Sequence, residues 1–433
     1  MKYRISSLNK TVTCFVCAVS VFANIGRAAD ADQHPSPEQV ASCNEQANSD
    51  ARRELQKTPQ PSTVQGLTQA LRSLKSKLDA LDATCDARPA ILSRMAAYQF
   101  QLRDFDAATD SSVAALSVAD AERKLSFEEI GLTHFMLGAI YNARGRYADS
   151  VRENVKAAQS FARSGKQNAG RVARIYSDVA LLEINMGDLR SAERYLNKSS
   201  AIAESSDTIS DTDKFLVLDA VAHFEYERGR LTDADRTLNK IVGLYGSSTA
   251  ISPSLRAHLY RDCGEVSIAT GNLDQALDQL QKSTALARAE PAPGTLALSL
   301  SMLGSVYLQL GQLNSAEHLF REACDSVDQY ADEVPVNAAI VYAVYGNYLH
   351  SCRRWRESRT HLQRALQLAQ EGGKDERIKA NCLAKLADAA HHLHIKDEEK
   401  SMRSQAKAMA AGFRHATDGA LTVDLLTLKA GLH

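Results

Sequence analysis

Breakers are scarce in this chain: proline occurs 9 times and glycine 22 times in 433 residues. An all-β fold of many short strands needs turn signals at close intervals, and so few Gly and Pro do not supply them. Aromatics make up only 6% and there is a single tryptophan, Trp355. An excess of one charge is also missing, with 51 basic against 52 acidic side chains. A near-neutral chain argues against nucleic acid as its main partner. Long apolar runs are absent too. The longest, residues 11–24, falls short of the ~20 that a spanning helix needs. Catalytic signatures are equally lacking: there is no Gly-x-Ser-x-Gly elbow, no phosphate-binding glycine loop, no His-Glu-x-x-His helix and no Cys-x-x-Cys pair after the first seventeen residues. Neither an enzyme nor a cofactor is implied. The densest histidine cluster, His391, His392 and His394, lacks the i, i+4 spacing that puts metal ligands on one helix face, and reads as surface.

What the chain has is a rhythm. Residues 296–327 read as two amphipathic helices broken at Gly311, with small residues at Gly304, Ala316 and Ala323 and bulky ones at Leu303, Tyr307 and Phe320. Two antiparallel helices in a tight hairpin must cross closely, and Gly304 facing Ala316 and Ala323 would permit an approach at the short end of ~8–10 Å. The position of Gly304 recurs as Ala96, Gly138, Ala180, Ala222, Gly264, Gly346 and Ala387, in steps of 40–42 residues. That of Ala316 recurs as Ala108, Ser150, Ala192, Ala234, Ala276, Ser358 and, weakly, Glu399. Gly145, Gly187, Gly229 and Gly271 match Gly311 as left-handed helix ends. Asp106, Thr232, Asp274 and Asn314 follow as expected N-caps of the second helix. Polar, Gly- or Pro-bearing linkers are expected at 205–213, 246–253, 289–294, 332–335 and 371–375, and no proline interrupts a proposed helix.

Leu303-Gly304, Tyr307, Gly311, Ala316, Phe320 and Ala323 resemble the packing positions of the tetratricopeptide repeat. The 42-residue unit is similar to the longer repeats of the kinesin-light-chain and MalT-like branches. The resemblance covers about 89–412 and implies an all-α fold: a right-handed α-solenoid of about eight helical hairpins. It also implies protein or peptide binding on a concave face lined by the first helix of each unit. Projected here, that face holds Phe135, Asn142, Arg174, Asn185, Asp219, His223, Tyr226, His258, Arg261, Glu265, Asn347, His350 and His391. Asparagines and arginines there suit the main chain of an extended peptide, with Phe135 and Tyr226 as apolar anchors. Exposed on such a face, Arg261 and Tyr226 would be replaceable with little loss of stability. Trp355 takes the place of Tyr147 and Leu313 and is expected to pack between helices.

The ends differ. Lys2, Arg4 and Lys10, the apolar run, and a small-residue stretch at 26–31 read as a secretory signal peptide over residues 1–28, cut after Ala28 or Ala31. Loss of Lys2, Arg4, Lys10 and Arg27 leaves 47 basic against 52 acidic groups. No membrane span remains after cleavage, and the expected place is the periplasm or outside the cell. Residues 32–88 are expected to form a helical hairpin cap, with helices at 40–57 and 63–84. Its open end brings Cys43 and Cys85 together, and an oxidising compartment would join them. Cys263, Cys324, Cys352 and Cys382 read as small core residues. In the tail, 413–433, residues 423–428 fit a capping helix or an extended segment equally. Three functions fit this reading: an exported interaction scaffold, a periplasmic sensor module acting on a membrane signalling protein, and, last, an enzyme.

Overall fold

A computed structural model describes residues 63–413, apart from 82–84, 86, 123–124, 291, 329, 332–334 and 372–375. The expected signal peptide, Cys43, the helix expected at 40–57 and the segment at 423–428 lie outside the described residues. Among the described residues there are seventeen α-helices and no strand. They run α1 (Val64–Ala80), α2 (Ala87–Gln101), α3 (Phe105–Glu122), α4 (Phe127–Ala143), α5 (Tyr147–Ser164), α6 (Ala169–Met186), α7 (Leu189–Ser205), α8 (Asp211–Glu227) and α9 (Leu231–Tyr245). They continue as α10 (Pro253–Thr270), α11 (Leu273–Ala289), α12 (Pro293–Gln309), α13 (Leu313–Asp328), α14 (Pro335–Ser351), α15 (Trp355–Glu371), α16 (Glu376–His392) and α17 (Lys396–Phe413). After α1, the helices pair into eight hairpins, and each contains one of the eight small-residue positions read from the sequence. None is long and apolar enough to cross a membrane.

The described residues divide into two compact units, the chain passing between them at the start of α7, within it and after it: one takes residues 63–186 and 194–209, the other 187–193 and 210–413. Among the described residues, the first holds these hydrophobic clusters. Leu67, Leu74, Ile91 and Tyr98 hold α1 on α2, and Phe100, Phe135, Ile140, Phe161 and Ile175 join α2 to α6. The second has a continuous core from Ala276 to Leu386, in which α12 and α14 are the most apolar contributors.

The small residues explain why the hairpins close. Ala108, Ser150, Ala192, Ala234, Ala276, Ala316 and Ser358 are all fully buried. Where serine replaces alanine, its hydroxyl donates to the carbonyl of the facing glycine: Ser150 Oγ to Gly138 O at 2.8 Å and Ser358 Oγ to Gly346 O at 2.9 Å. A buried hydroxyl is thus satisfied within the crossing. The glycines meet a regular partner sixteen residues on. A Cβ on Gly304 would stand 2.8 Å from Phe320 and 3.2 Å from the Ala316 carbonyl, and one on Gly264 or Gly346 would meet Leu280 at 2.6 Å or Leu362 at 2.8 Å. Phe320, rather than Ala323, is therefore what Gly304 makes room for.

Helix ends depart from expectation in two ways. The second helices begin two residues earlier than read, so Asp106, Thr232, Asp274 and Asn314 lie in the first turn instead of at the cap. Asp104 and Asp188 do the capping, accepting from Ala107 N and Ser191 N at 3.2 and 2.9 Å. Gly145, Gly187, Gly229, Gly271 and Gly311 all have positive φ, as expected, but Arg103, Arg353 and His394 hold the same conformation at φ 58–60° in hairpins that lack the glycine. Several first helices start on good caps. Ser126 forms a reciprocal box with Glu129, Ser210 and Ser252 cap α8 and α10, and Pro253 and Pro293 open α10 and α12 where a missing N–H costs nothing.

Cys85 is buried and disulfide-bonded, whereas Cys263, Cys324, Cys352 and Cys382 are not in disulfides, and the first two and the last are buried. Trp355 stacks on His392 at 4.1 Å and meets His350 edge-on at 4.8 Å, which places it between α14 and α16.

Candidate functional site

Polar side chains collect in the first helices of the second unit. Asp219, His223 and Tyr226 recur along α8 with spacings of four and three residues, which keeps them on one face. His258, Arg261, Asp262 and Glu265 do the same on α10. The hydrophobic residues of these helices are spread around them, so neither is strongly amphipathic, and a polar stripe lies inside a largely buried cylinder. His258, Arg261, Glu265, Asp219 and Tyr226 are all buried, Arg261 to 2% exposure.

The geometry is convergent. Arg261 Nη2 donates to Asp262 Oδ1 at 2.7 Å and approaches His258 Nε2 at 3.3 Å, while Arg261 Nε lies 3.2 Å from Asp262 Oδ1. His258 Nε2 is 3.4 Å from Asp262 Oδ2. Asp219, from the preceding hairpin, brings a carboxylate oxygen to within 4.8 Å of both. Glu265 continues the stripe one turn further on. Burial pushes its carboxyl up to about 8, Asp262 and Glu227 adding to the rise and Arg261 and a hydrogen bond with Tyr226 opposing it. Its Oε1 has no hydrogen-bond partner in the protein.

The other residues projected onto this face are scattered. Phe135 and Asn142 are buried in α4; Arg174 of α6 is half-buried and Asn185 exposed. Asn347 of α14 is buried and donates to Asn381 at 3.3 Å. His350 stands 2.8 Å from Asp388, and burial lowers its pKa. His391 is exposed and pairs with Glu399 at 3.1 Å. The structure thus assembles Asp219, His258, Arg261 and Glu265, with Tyr226 on Glu265 and His223 buried on the same face of α8. The expectation that Arg261 and Tyr226 could be removed at little cost to stability is corrected: both are buried, and truncating Arg261 would strip the Asp262 carboxylate of its cation.

Asp262 is the member the sequence reading missed. His258-x-x-x-Asp262 carries the one-face i, i+4 spacing, whereas attention to histidine density led to His391–His394. Asp219 joins them only through stacking of adjacent hairpins, a contact across 39 residues that no local spacing reveals.

Residues 255–329 match the tetratricopeptide repeat family model. No curated protein matches the chain's sequence. Solved structures share its fold. The apo form of RapI is 12% identical with a TM-score of 0.53, covering 87% of this chain and 99% of its own. The apo quorum sensor NprR from B. thuringiensis is 14% identical with a TM-score of 0.54, covering 84% and 98%. A Rap protein complexed with Competence and Sporulation Factor is 10% identical with a TM-score of 0.56, covering 86% and 99%.

Proposed function

We propose that this tetratricopeptide-repeat protein works by binding rather than catalysis, holding an extended segment of a partner protein or peptide on the polar face of α8 and α10, in the bacterial periplasm or cell envelope. The observation that carries the reading is the buried stripe from Asp219 through His258, Arg261 and Asp262 to Glu265 and Tyr226. Apolar side chains would hold these hairpins together at least as well, since a buried ion network brings little net stability. Groups of this kind suit the hydrogen-bonding needs of a main chain that has lost its water, and in a low-dielectric floor each bond is stronger than in solvent. Asp262, with 12% of its side chain exposed, is the least buried member of the stripe.

A second reading is a sensor or regulatory module acting on a membrane signalling protein. It is favoured by the fold likeness to NprR, described as a quorum sensor, and to a Rap protein solved with Competence and Sporulation Factor. Both readings use the same face and differ in the consequence of binding: retention of the partner in one, a signal passed to the membrane protein in the other.

The test is capture of segments from a peptide display library by the full exported chain, compared with Arg261→Lys and Tyr226→Phe. Both keep the side chain close to its original volume, and Lys loses the fork geometry. Selected segments should bind these variants at least tenfold more weakly at unchanged helicity; equal binding removes the face from consideration. Cell fractionation with sequencing of the mature N-terminus tests the location.

A further inference from the structure

We propose that Asp219, His258 and Asp262 form a binding site for a first-row divalent transition-metal ion, Zn²⁺ foremost, in which the Arg261 guanidinium holds the ion's place when no metal is bound. This is independent of any partner segment.

Three observations carry it. The first is the donor set. One imidazole nitrogen and two carboxylate oxygens lie within 4.8 Å of one another, in side chains that are buried or nearly so. Nitrogen with oxygen donors is the chemistry of Zn²⁺ and its neighbours, whereas Mg²⁺ and Ca²⁺ take oxygen alone. The second is spacing. His258 Nε2 and Asp262 Oδ2 are 3.4 Å apart, one turn from each other on α10. Ligand atoms ~2.0–2.2 Å from a tetrahedral ion sit about 3.4 Å from each other, so this pair needs no rearrangement. Asp219 closes in across the hairpin boundary to complete the set.

The third observation is the resident cation. Arg261 Nη2 contacts both Asp262 Oδ1, at 2.7 Å, and His258 Nε2, at 3.3 Å, from a side chain that is 3% exposed. The guanidinium thus sits against the same imidazole and the same carboxylate, on Oδ1 where the metal pair uses Oδ2. Metal entry therefore requires the guanidinium to leave, and α10 offers a destination: Glu265, four residues on, has a buried Oε1 with no hydrogen-bond partner. Three protein ligands leave the remaining coordination positions to water.

The test is calorimetric titration of Zn²⁺ into the chelator-treated full chain, with Mg²⁺ as the control. One Zn²⁺ should bind per chain and Mg²⁺ should not. His258→Ala and Asp219→Asn should each weaken Zn²⁺ by roughly a hundredfold at unchanged helicity, while a His391→Ala/His394→Ala variant retains the site. Arg261→Met should tighten Zn²⁺ by roughly tenfold, because it removes the competing cation. Should Arg261→Met not fold, visible absorption of the Co²⁺-loaded wild type decides: an intense low-symmetry d–d band that His258→Ala abolishes supports the site. Zn²⁺ affinity indifferent to His258, or no binding below millimolar concentrations, overturns it.

Discussion

Glu265 lies between Tyr226, Arg261 and Asp262, and burial pushes its carboxyl up to about 8 from an ordinary 4.5. The folded chain then keeps a proton that the unfolded chain releases, so stability falls as pH rises from about 4.5 and levels off above about 8. The slope within that window is at most about 1.4 kcal/mol per pH unit from this group. Glu265→Gln should flatten it, measured as urea midpoints at pH 5 to 9, and should be the more stable protein at pH 9; an unaltered slope would show that Glu265 does not titrate there. A second residue-scale prediction concerns Arg353, exposed and left-handed at φ 58° where other hairpins carry glycine. Arg353→Gly should raise stability by about 1 kcal/mol in thermal unfolding, since a left-handed non-glycine residue costs ~1–2 kcal/mol. At this scale the sequence was partly legible. Asp219, His223, Tyr226, His258, Arg261 and Glu265 were named by projecting the inner face of the repeat family, but their burial was not foreseen. A projected helix face states direction, and exposure depends on how closely the next first helix stacks.

Within the hairpin, two glycines in helices make opposite predictions. Gly304→Ala gains up to ~1 kcal/mol of helix propensity yet places a methyl 2.8 Å from a Phe320 ring held by Tyr345 and Tyr348. Overpacking of ~1–3 kcal/mol should win and lower the melting temperature. Gly243, in α9, has nothing within 4 Å of an added Cβ, so Gly243→Ala should gain most of ~1 kcal/mol. A Gly304→Ala protein as stable as the parent would mean that this crossing is not close-packed. The hairpins themselves were readable because a small residue returns at each crossing with fixed spacing to the turn. Their caps were less so: in Asp104-Phe105-Asp106 both acids suit a helix start, and only hydrogen bonding picks Asp104.

For the molecule as a whole, each unit has its own core, one built on Phe100, Phe135 and Phe161 and the other on Leu298, Phe320 and Tyr348. Repeat arrays sum local stabilities, so damage in one place need not spread. In native-state hydrogen exchange, Gly304→Ala should lose protection across α12–α15 and leave α4 and α5 unchanged; uniform loss would indicate one cooperative block. Repeat count and helical class were legible because every hairpin obeys one packing rule. The division inside α7 was not, since Gly187 and Ala192 obey that rule like the rest. The claim most exposed to test is that binding occurs on the α8 and α10 face. The direct measurement is hydrogen–deuterium exchange of the full chain with and without a segment selected for binding. Added protection should concentrate in Asp211–Glu227 and Pro253–Thr270 and spare Leu231–Tyr245 and Leu273–Ala289; protection confined to the latter pair would contradict the account.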